Sequence, residues 1–196
     1  MGTIILLVAI FIVVIILNNK NKKKIEKQLA DESLDLAKAY FEAGRYEEAI
    51  KELKSIVKKH DSPDAQYYLG LAYYELGLYE EGSKELLEAG IAYENKGLAD
   101  KAVSALTEIK IDKLSSNEES LLHYHLGVNY HNLGELEKAK TEYEKAIQKN
   151  PKFAEGYYGL GLVYHKLGKE QLAWEQLKVI KDLDMELAKK LFRTIE

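Results

Sequence analysis

The stretch LGVNY at residues 126–130 decides the fold of this chain, because it recurs 34 residues later as LGLVY at residues 160–164. The pair LG at residues 133–134 repeats at the same distance, at residues 167–168. Related stretches lie upstream, LGLAY at residues 69–73 and LAKAY at residues 36–40. A constant period of this length indicates an array of small supersecondary units that stack on one another.

The same residue types recur at fixed distances inside each of the four units. A small residue is followed by a tyrosine three positions later, a glycine seven later, a second small residue twelve later and a large apolar residue sixteen later. The first small residues are Ala37, Gly70, Gly127 and Gly161, and the glycines seven positions later are Gly44, Gly77, Gly134 and Gly168. Small residues let paired helices cross closely, apolar residues fill the stripe between them, and a glycine ends the first helix in a left-handed conformation.

This pattern resembles the tetratricopeptide repeat, a 34-residue helix–turn–helix unit. The resemblance implies an all-α fold, with a right-handed α-solenoid over residues 30–184 and a capping helix at residues 185–196. One departure lies around residues 79–109, where Gly77 and Gly97 are only 20 positions apart and Gly90 begins the unit's internal spacings again. We expect residues 79–96 to close the second unit and also to open an incomplete one, in a lengthened helix.

Three short motifs predict where the first helix of a unit begins. Ser62-Pro63 and Asn150-Pro151 each combine a capping side chain with a proline at a position where its missing N–H is harmless. Ser116 and Glu119 have the spacing of a capping box and predict the start of the third regular first helix.

The N-terminus predicts a membrane anchor. Residues 1–17 are an apolar run, and a helix of that length spans about 25 Å, the low end for a bilayer core. The lysines that follow it are Lys20, Lys22, Lys23, Lys24 and Lys27. Because positive charge beside a membrane segment resists translocation, we expect a single-pass anchor at residues 1–18, a basic juxtamembrane segment at residues 19–29, the N-terminus outside and the array in the cytoplasm. The alternative is a cleaved signal peptide, although the charge follows the apolar run and no small-residue cleavage site is evident.

Composition excludes several functions. The chain has no cysteine, hence no thiolate metal site and no cysteine nucleophile. Without residues 20–27 the chain has 23 basic and 31 acidic residues, which disfavours a nucleic-acid partner. The lysine cluster faces anionic lipid in one interpretation and serves only as a topology signal in the other. No hydrolase triad, phosphate loop or HExxH motif is found, so neither an enzyme nor a cofactor is expected.

The histidines do not predict a metal site. His123 and His125 are two positions apart on a helix and point in different directions. His131 and His165 occupy equivalent positions in successive units and could approach each other, but groove residues are the favoured interpretation.

The family resemblance implies a concave groove that binds a protein or peptide partner. It is lined by residues three before, and one, four or five after, each first small position. The predicted groove residues are Leu34, Lys38, Phe41, Tyr67, Leu71, Tyr74, Tyr124, Val128, His131, Tyr158, Leu162 and His165. Rigid aromatic side chains of this kind often carry binding energy. The alternative is that some of them pack against the neighbouring unit or the juxtamembrane helix.

These observations predict a membrane-tethered adaptor or scaffold. An N-terminal anchor followed by cytoplasmic repeats resembles bacterial envelope-assembly proteins built from tetratricopeptide repeats, and this resemblance implies a role in the assembly or regulation of a membrane or envelope complex. Two alternatives stay open: a self-assembling structural scaffold whose concave face is occupied by another copy, and an extracytoplasmic repeat protein released by signal-peptide cleavage.

Overall fold

The computed structural model describes residues 2–196, with side chains for residues 20–22 and 24–196. All regular structure in this part of the chain is helical, which confirms the all-α prediction. The ten α-helices are α1 (Gly2–Glu42), α2 (Tyr46–Lys59), α3 (Pro63–Glu75), α4 (Tyr79–Asn95), α5 (Ala99–Thr107), α6 (Ser116–Asn132), α7 (Leu136–Lys149), α8 (Ala154–Lys166), α9 (Glu170–Leu183) and α10 (Met185–Ile195). A 3₁₀ turn, Ile111–Lys113, lies between α5 and α6. Each helix packs against the next one along the chain.

Left-handed glycines end the first helix of each unit, as the spacing predicted. Their φ angles lie between 69° and 78° at Gly44, Gly77, Gly97, Gly134 and Gly168. In the first unit the Gly44 N–H donates to the Phe41 carbonyl and the Arg45 N–H to the Tyr40 carbonyl. This pair of bonds satisfies carbonyls that the helix end would otherwise leave unpaired. The turns between paired helices are therefore short.

The predicted apolar positions form the core between the helices of each pair. The residues sixteen after the first small position, Leu53, Leu86, Tyr143 and Leu177, are all at most 2% exposed. The small residues permit their approach, since a methyl group on Gly127 would lie 2.8 Å from the Tyr143 ring. Glycine is required where the facing side chain is this large.

Helix α4 takes part in two pairs. It has 17 residues, where α2, α7 and α9 have 14 each. Its first half packs on α3, because a methyl group on Gly70 would lie 2.7 Å from Leu86 Cγ. Its second half packs on α5, because a methyl group on Gly90 would lie 2.5 Å from Leu106 Cδ2. The lengthened helix predicted for residues 79–96 is thus present.

Helix starts agree with the sequence at one position and differ at two. Ser62 caps α3, and its hydroxyl accepts a bond from the Ala65 N–H at 3.3 Å. The capping box of α6 is formed by Ser115 and Glu118, one residue before the predicted pair. The prediction for Asn150-Pro151 was wrong, since α8 begins only at Ala154. The Asn150 side chain instead accepts a bond from the Lys152 N–H in the turn, which competes with helix formation.

The N-terminal predictions fall mostly outside the described side chains. Helix α1 includes the basic segment and the first helix of the first unit. Lys20, Lys22, Lys24 and Lys27 are exposed, and Lys23 lies outside the described side chains. Among the side chains that the structure describes, no helix is both long enough and apolar enough to span a bilayer. The anchor predicted at residues 1–18 lies outside them.

Candidate protein-binding surface

The twelve predicted groove residues lie on four helices, α1, α3, α6 and α8. All of them are partly buried, so none is fully covered and none is freely exposed. Their surroundings differ from one helix to the next, and these differences decide which part of the predicted groove a partner could reach.

On α1, the predicted residues border an aromatic cluster. The Phe41 ring lies edge-on to Tyr46 at 5.4 Å and to Tyr68 of α3 at 5.7 Å. The Lys38 ammonium lies 5.2 Å from the centre of the Tyr68 ring. Leu34 packs against the core of the first unit. Lys38 is therefore the polar group that α1 presents beside α3.

On α3, the predicted face is contacted by α5 and by the segment after it. At the start of α3, Lys101 of α5 donates to Asp64 Oδ1 at 2.9 Å. At its end, the Lys110 N–H donates to the Tyr74 hydroxyl at 3.0 Å. Between these points Tyr67 packs against a buried cluster of α4 and α5 residues. Helix α5 and the segment after it thus contact the groove face of α3 at three points.

A cavity of about 190 Å³ persists where α1, α3, α4 and α5 meet. Its charged groups are mostly paired with each other, since Asp64 Oδ1 accepts bonds from both Lys101 and the Tyr93 hydroxyl, the latter at 2.8 Å. Burial raises the pKa of Asp64, but the bonds from Lys101 and Tyr93 outweigh it and hold that pKa below its usual value. The cavity is smaller than typical ligand sites, and its paired groups hold α3, α4 and α5 together.

Tyr74 is a structural residue of these contacts. Its hydroxyl also bonds the Ser83 hydroxyl of α4 at 2.7 Å. Its ring lies against Gly82, where a methyl group would be 2.2 Å from Tyr74 Cδ1. Tyr74 is therefore fixed by α4 on one side and by Lys110 on the other. Leu71 packs against the same core.

On α6 and α8, several predicted residues pack against the next unit, as the alternative interpretation anticipated. The Tyr124 ring contacts Phe153, just before α8, with 5.1 Å between ring centres. Tyr124 and Val128 both pack against the buried cluster that α7 and α8 residues form. Tyr158 and Leu162 pack against the core formed by α9 and α10.

The positions four and five after the small residue remain the accessible part of α6 and α8. They are His131 and His165, which are partly buried, and Asn132 and Lys166, which are exposed. His165 Nδ1 lies 3.1 Å from both carboxylate oxygens of Glu170. His131 Nε2 is buried and has no hydrogen-bond partner among the described residues. Burial, and secondarily the charge of Lys166, lowers the pKa of His131.

His123 and His125 each bond to a glutamate of a different helix, so their side chains point apart as predicted. His123 Nδ1 lies 2.7 Å from Glu142 of α7. His125 Nδ1 lies 3.0 Å from Glu94 of α4, which also accepts a bond from Asn129 at 2.8 Å. Within the described residues, no three His, Asp or Glu side chains are grouped so that they could hold a metal ion.

The sequence did not predict the hydrogen bonds that Glu94 of α4 makes with His125 and Asn129 of α6. Glu94 lies four positions after Gly90, which is the groove position of the incomplete unit. Applying the unit's spacings to that segment would have found it. The link ties α4 to α6 and orients Asn129, which is fully buried.

The arrangement supports recognition rather than catalysis. The accessible groups on α6 and α8 are hydrogen-bonding and basic, and they lie on a body that is acidic as a whole. Such a surface can hold an acidic or hydrogen-bonding segment of another protein.

Comparison with known families identifies the repeat. A TPR repeat model matches residues 127–168, and a tetratricopeptide repeat model matches residues 34–89. Together these matches span half of the chain, and both lie where the sequence predicted regular units. The predicted repeat type is confirmed. Proteins built from this repeat generally mediate protein–protein interactions and are generally not enzymes.

Several solved structures are similar to this chain at low sequence identity and with TM-scores below 0.5. MamA from Desulfovibrio magneticus RS-1, residues 41 to the end, is 19% identical, with a TM-score of 0.46 over 80% of this chain and 96% of that one. YrrB, described as a TPR protein with an unusual peptide-binding site, is 17% identical, with a TM-score of 0.49 over 82% and 90%. A thermophilic TPR protein from Thermus thermophilus is 21% identical, with a TM-score of 0.45 over 84% and 97%. No curated protein matches the chain significantly. At these identities and scores, no property of those proteins is carried over.

Proposed function

Because the chain belongs to the tetratricopeptide-repeat family, we propose that it is a membrane-tethered adaptor that binds a protein partner on the concave side of α6 and α8. The partner is a segment of a protein that belongs to, or assembles with, a membrane or envelope complex. The chain itself performs no chemistry on it.

The observation that carries this proposal is the difference between α3 and the α6–α8 surface. The predicted groove face of α3 is bonded to α5 and to Lys110, and its exposed residue five positions after the small residue is the acidic Glu75. At the same position, α6 and α8 expose Asn132 and Lys166. A partner can reach these side chains without displacing any part of the array.

Charge favours a partner segment with carboxylate or other acceptor groups. Lys166 is exposed beside His165, and the exposed amide of Asn132 can donate and accept hydrogen bonds. Burial lowers the pKa of His131, which disfavours a positive charge on its ring. Lys166 supplies the positive charge.

The tether is supported by the sequence. An apolar run followed by five lysines is typical of a single-pass segment whose basic side stays in the cytoplasm. The exposed lysines are suited to anionic lipid headgroups. Confinement to a membrane raises the effective concentration of a membrane-bound partner, so a weak contact suffices.

Site-specific photo-cross-linking of the full chain in its native membranes tests the binding surface. A photoreactive amino acid is placed at Asn132, at Lys166, or at one of two exposed control positions: Glu75 on α3 and Lys178 on α9. We expect the same partner adduct from positions 132 and 166, and at least about ten-fold less from positions 75 and 178.

Equal adducts at all four positions, or an adduct at position 75 alone, would contradict the proposal. All four side chains are exposed, so the replacements leave the helical core unchanged. Loss of folding therefore cannot account for a negative result.

A further inference from the structure

Both ends of the array expose apolar side chains. Of the large apolar side chains that the structure describes, the four most exposed are Ile25 (58%), Leu29 (56%), Met185 (54%) and Leu36 (48%). Three of them lie on α1 at one end and the fourth on α10 at the other. Exposed apolar residues grouped in this way mark interaction sites.

The exposed residues of α1 follow one stripe along the helix. Ile25, Leu29, Glu32 and Leu36 are spaced by four, three and four residues, and all are exposed. This alternation places them on one side of a helix and is the spacing of a helix–helix seam. We call these four residues the α1 stripe.

Helix α10 has a matching stripe. Met185, Lys189, Phe192 and Glu196 have the same spacing, and all four are exposed. The opposite side of α10, with Ala188, Leu191 and Ile195, is buried against the array. We call the four exposed residues the α10 stripe.

The two stripes are complementary when their helices run antiparallel. Leu36 then faces Met185, Leu29 faces Phe192, and at the outer end Ile25 faces the C-terminal Glu196, which adds no apolar pair. Between these apolar pairs, Glu32 faces Lys189. A central ion pair flanked by apolar pairs fixes one register and one orientation.

The charges around the stripes are also opposite. Residues 31–42 contain four acidic residues and one lysine. Helix α10 contains two lysines and one arginine against one glutamate. Among the described residues, Lys189 pairs with Glu186 at 2.7 Å and Glu32 accepts a bond from the neutral Gln28 amide at 3.1 Å, and both contacts are local and exposed. Such local pairs exchange readily for an intermolecular one.

The direction of the helices permits this contact between two copies. Short connections make consecutive packed helices antiparallel, so α1 and α10, the first and the tenth, run in opposite directions. If a second copy follows the first, its α1 becomes an eleventh helix, antiparallel to α10 like every other consecutive pair. The array would continue with the same alternation across the junction.

We propose that the α10 stripe of one copy binds the α1 stripe of the next, so that the chain associates head to tail with itself. The interface joins two different surfaces, so it leaves one free stripe at each end and can extend into rows or closed rings. It leaves the α6–α8 surface free, so self-association is independent of partner binding.

Disulfide cross-linking of the full chain in membranes tests this geometry. Because the chain has no native cysteine, every disulfide comes from the introduced residues. Leu36→Cys and Met185→Cys are introduced singly, as a mixture of the two single variants, and together in one chain. We expect the mixture to give a heterodimer and the double variant to give a ladder of oligomers. The matched control pairs Leu36→Cys with Leu98→Cys, which is comparably exposed at 43% in the middle of the array, and it should give no ladder.

Charge exchange adds a second readout that random collisions would not reproduce. Glu32→Lys alone or Lys189→Glu alone should lower the cross-linking yield about five-fold or more, and the two together should restore it. A dimer from Leu36→Cys alone would overturn the proposal in favour of a symmetric α1 pair. Equal yields in the control pair, no ladder, or no recovery in the exchanged variant would overturn it as well.

Discussion

The contact between Gly82 and Tyr74 shows how a single residue position departs from its repeat. The other three regular units have alanine at the position of Gly82, namely Ala49, Ala139 and Ala173. The facing side chain accounts for the difference, since the Tyr74 ring occupies the space that a methyl group would need. The sequence predicts a small residue there but not which one, because the choice depends on a ring held from another helix.

Gly82→Ala therefore should destabilise the protein, although helix propensity alone predicts a gain of about 1 kcal/mol. The new methyl group would lie 2.2 Å from Tyr74 Cδ1 and 2.9 Å from the Gly70 carbonyl oxygen. Because hydrogen bonds hold Tyr74 in place, we expect a net loss of about 1–3 kcal/mol in the free energy of unfolding. Urea unfolding followed by circular dichroism measures it.

A second background separates the steric effect from a general helix effect. In a Tyr74→Leu variant the ring is gone, so adding Gly82→Ala should cost much less there. A stabilising Gly82→Ala, or the same cost in both backgrounds, would show that the contact is not the cause.

Helix boundaries show which elements the sequence could predict. The glycine turns and the Ser62 cap follow from the conformational preferences of those residues alone, so they were predicted correctly. Asn150 was misassigned because its side chain bonds the backbone two residues on, which is a turn rather than a cap. The α6 box was displaced by one residue because Ser115 and Ser116 both have a glutamate three positions later.

Helix α4 places α5 beside α3, so it determines which groove residues of α3 contact another helix. Its two halves pair with α3 and α5, which was predictable from the repeated spacings at Gly90 and Leu106. The consequence was not predicted, because the placement of α5 across α3 is a tertiary relation that the spacings of one unit do not contain. For this reason three of the twelve predicted groove residues, Tyr67, Leu71 and Tyr74, pack against clusters that include α4 and α5 residues.

Tyr74→Phe should loosen the contact between α3 and Lys110. The variant keeps the ring but removes the hydroxyl that accepts from the Lys110 N–H and bonds Ser83, which is only 5% exposed. We expect a loss of about 1 kcal/mol in stability. Amide hydrogen exchange at Lys110 should become about five-fold faster, as that free energy implies.

Tyr79→Phe is the matched control for this measurement. The Tyr79 ring also contacts Tyr74 and lies 4.2 Å from the Lys110 ammonium, but its hydroxyl forms no hydrogen bond within the described residues. Exchange at Lys110 should stay unchanged in this variant. Equal acceleration in both variants would mean that Tyr74 acts only through its ring.

At the scale of the whole molecule, period and composition predicted the architecture, whereas the binding surface stays a prediction. The repeat determines which residues face the concave side in a regular array. It does not determine which of them pack against a neighbouring helix: Tyr124 contacts Phe153 just before the following unit, and Tyr158 packs against the core of α9 and the capping helix α10. The candidate surface on α6 and α8 is what remains after those contacts are subtracted.

The central claim is that residues 1–18 hold this array on the cytoplasmic side of a membrane. The most direct measurement labels a Lys178→Cys variant of the full chain, exposed on α9 and carrying the only cysteine, with a membrane-impermeant maleimide. We predict that the protein stays in the membrane fraction after alkaline extraction, and that the cysteine reacts only once the cells are permeabilised. Labelling in intact cells, or an array released from the membrane after loss of its first residues, would contradict the account.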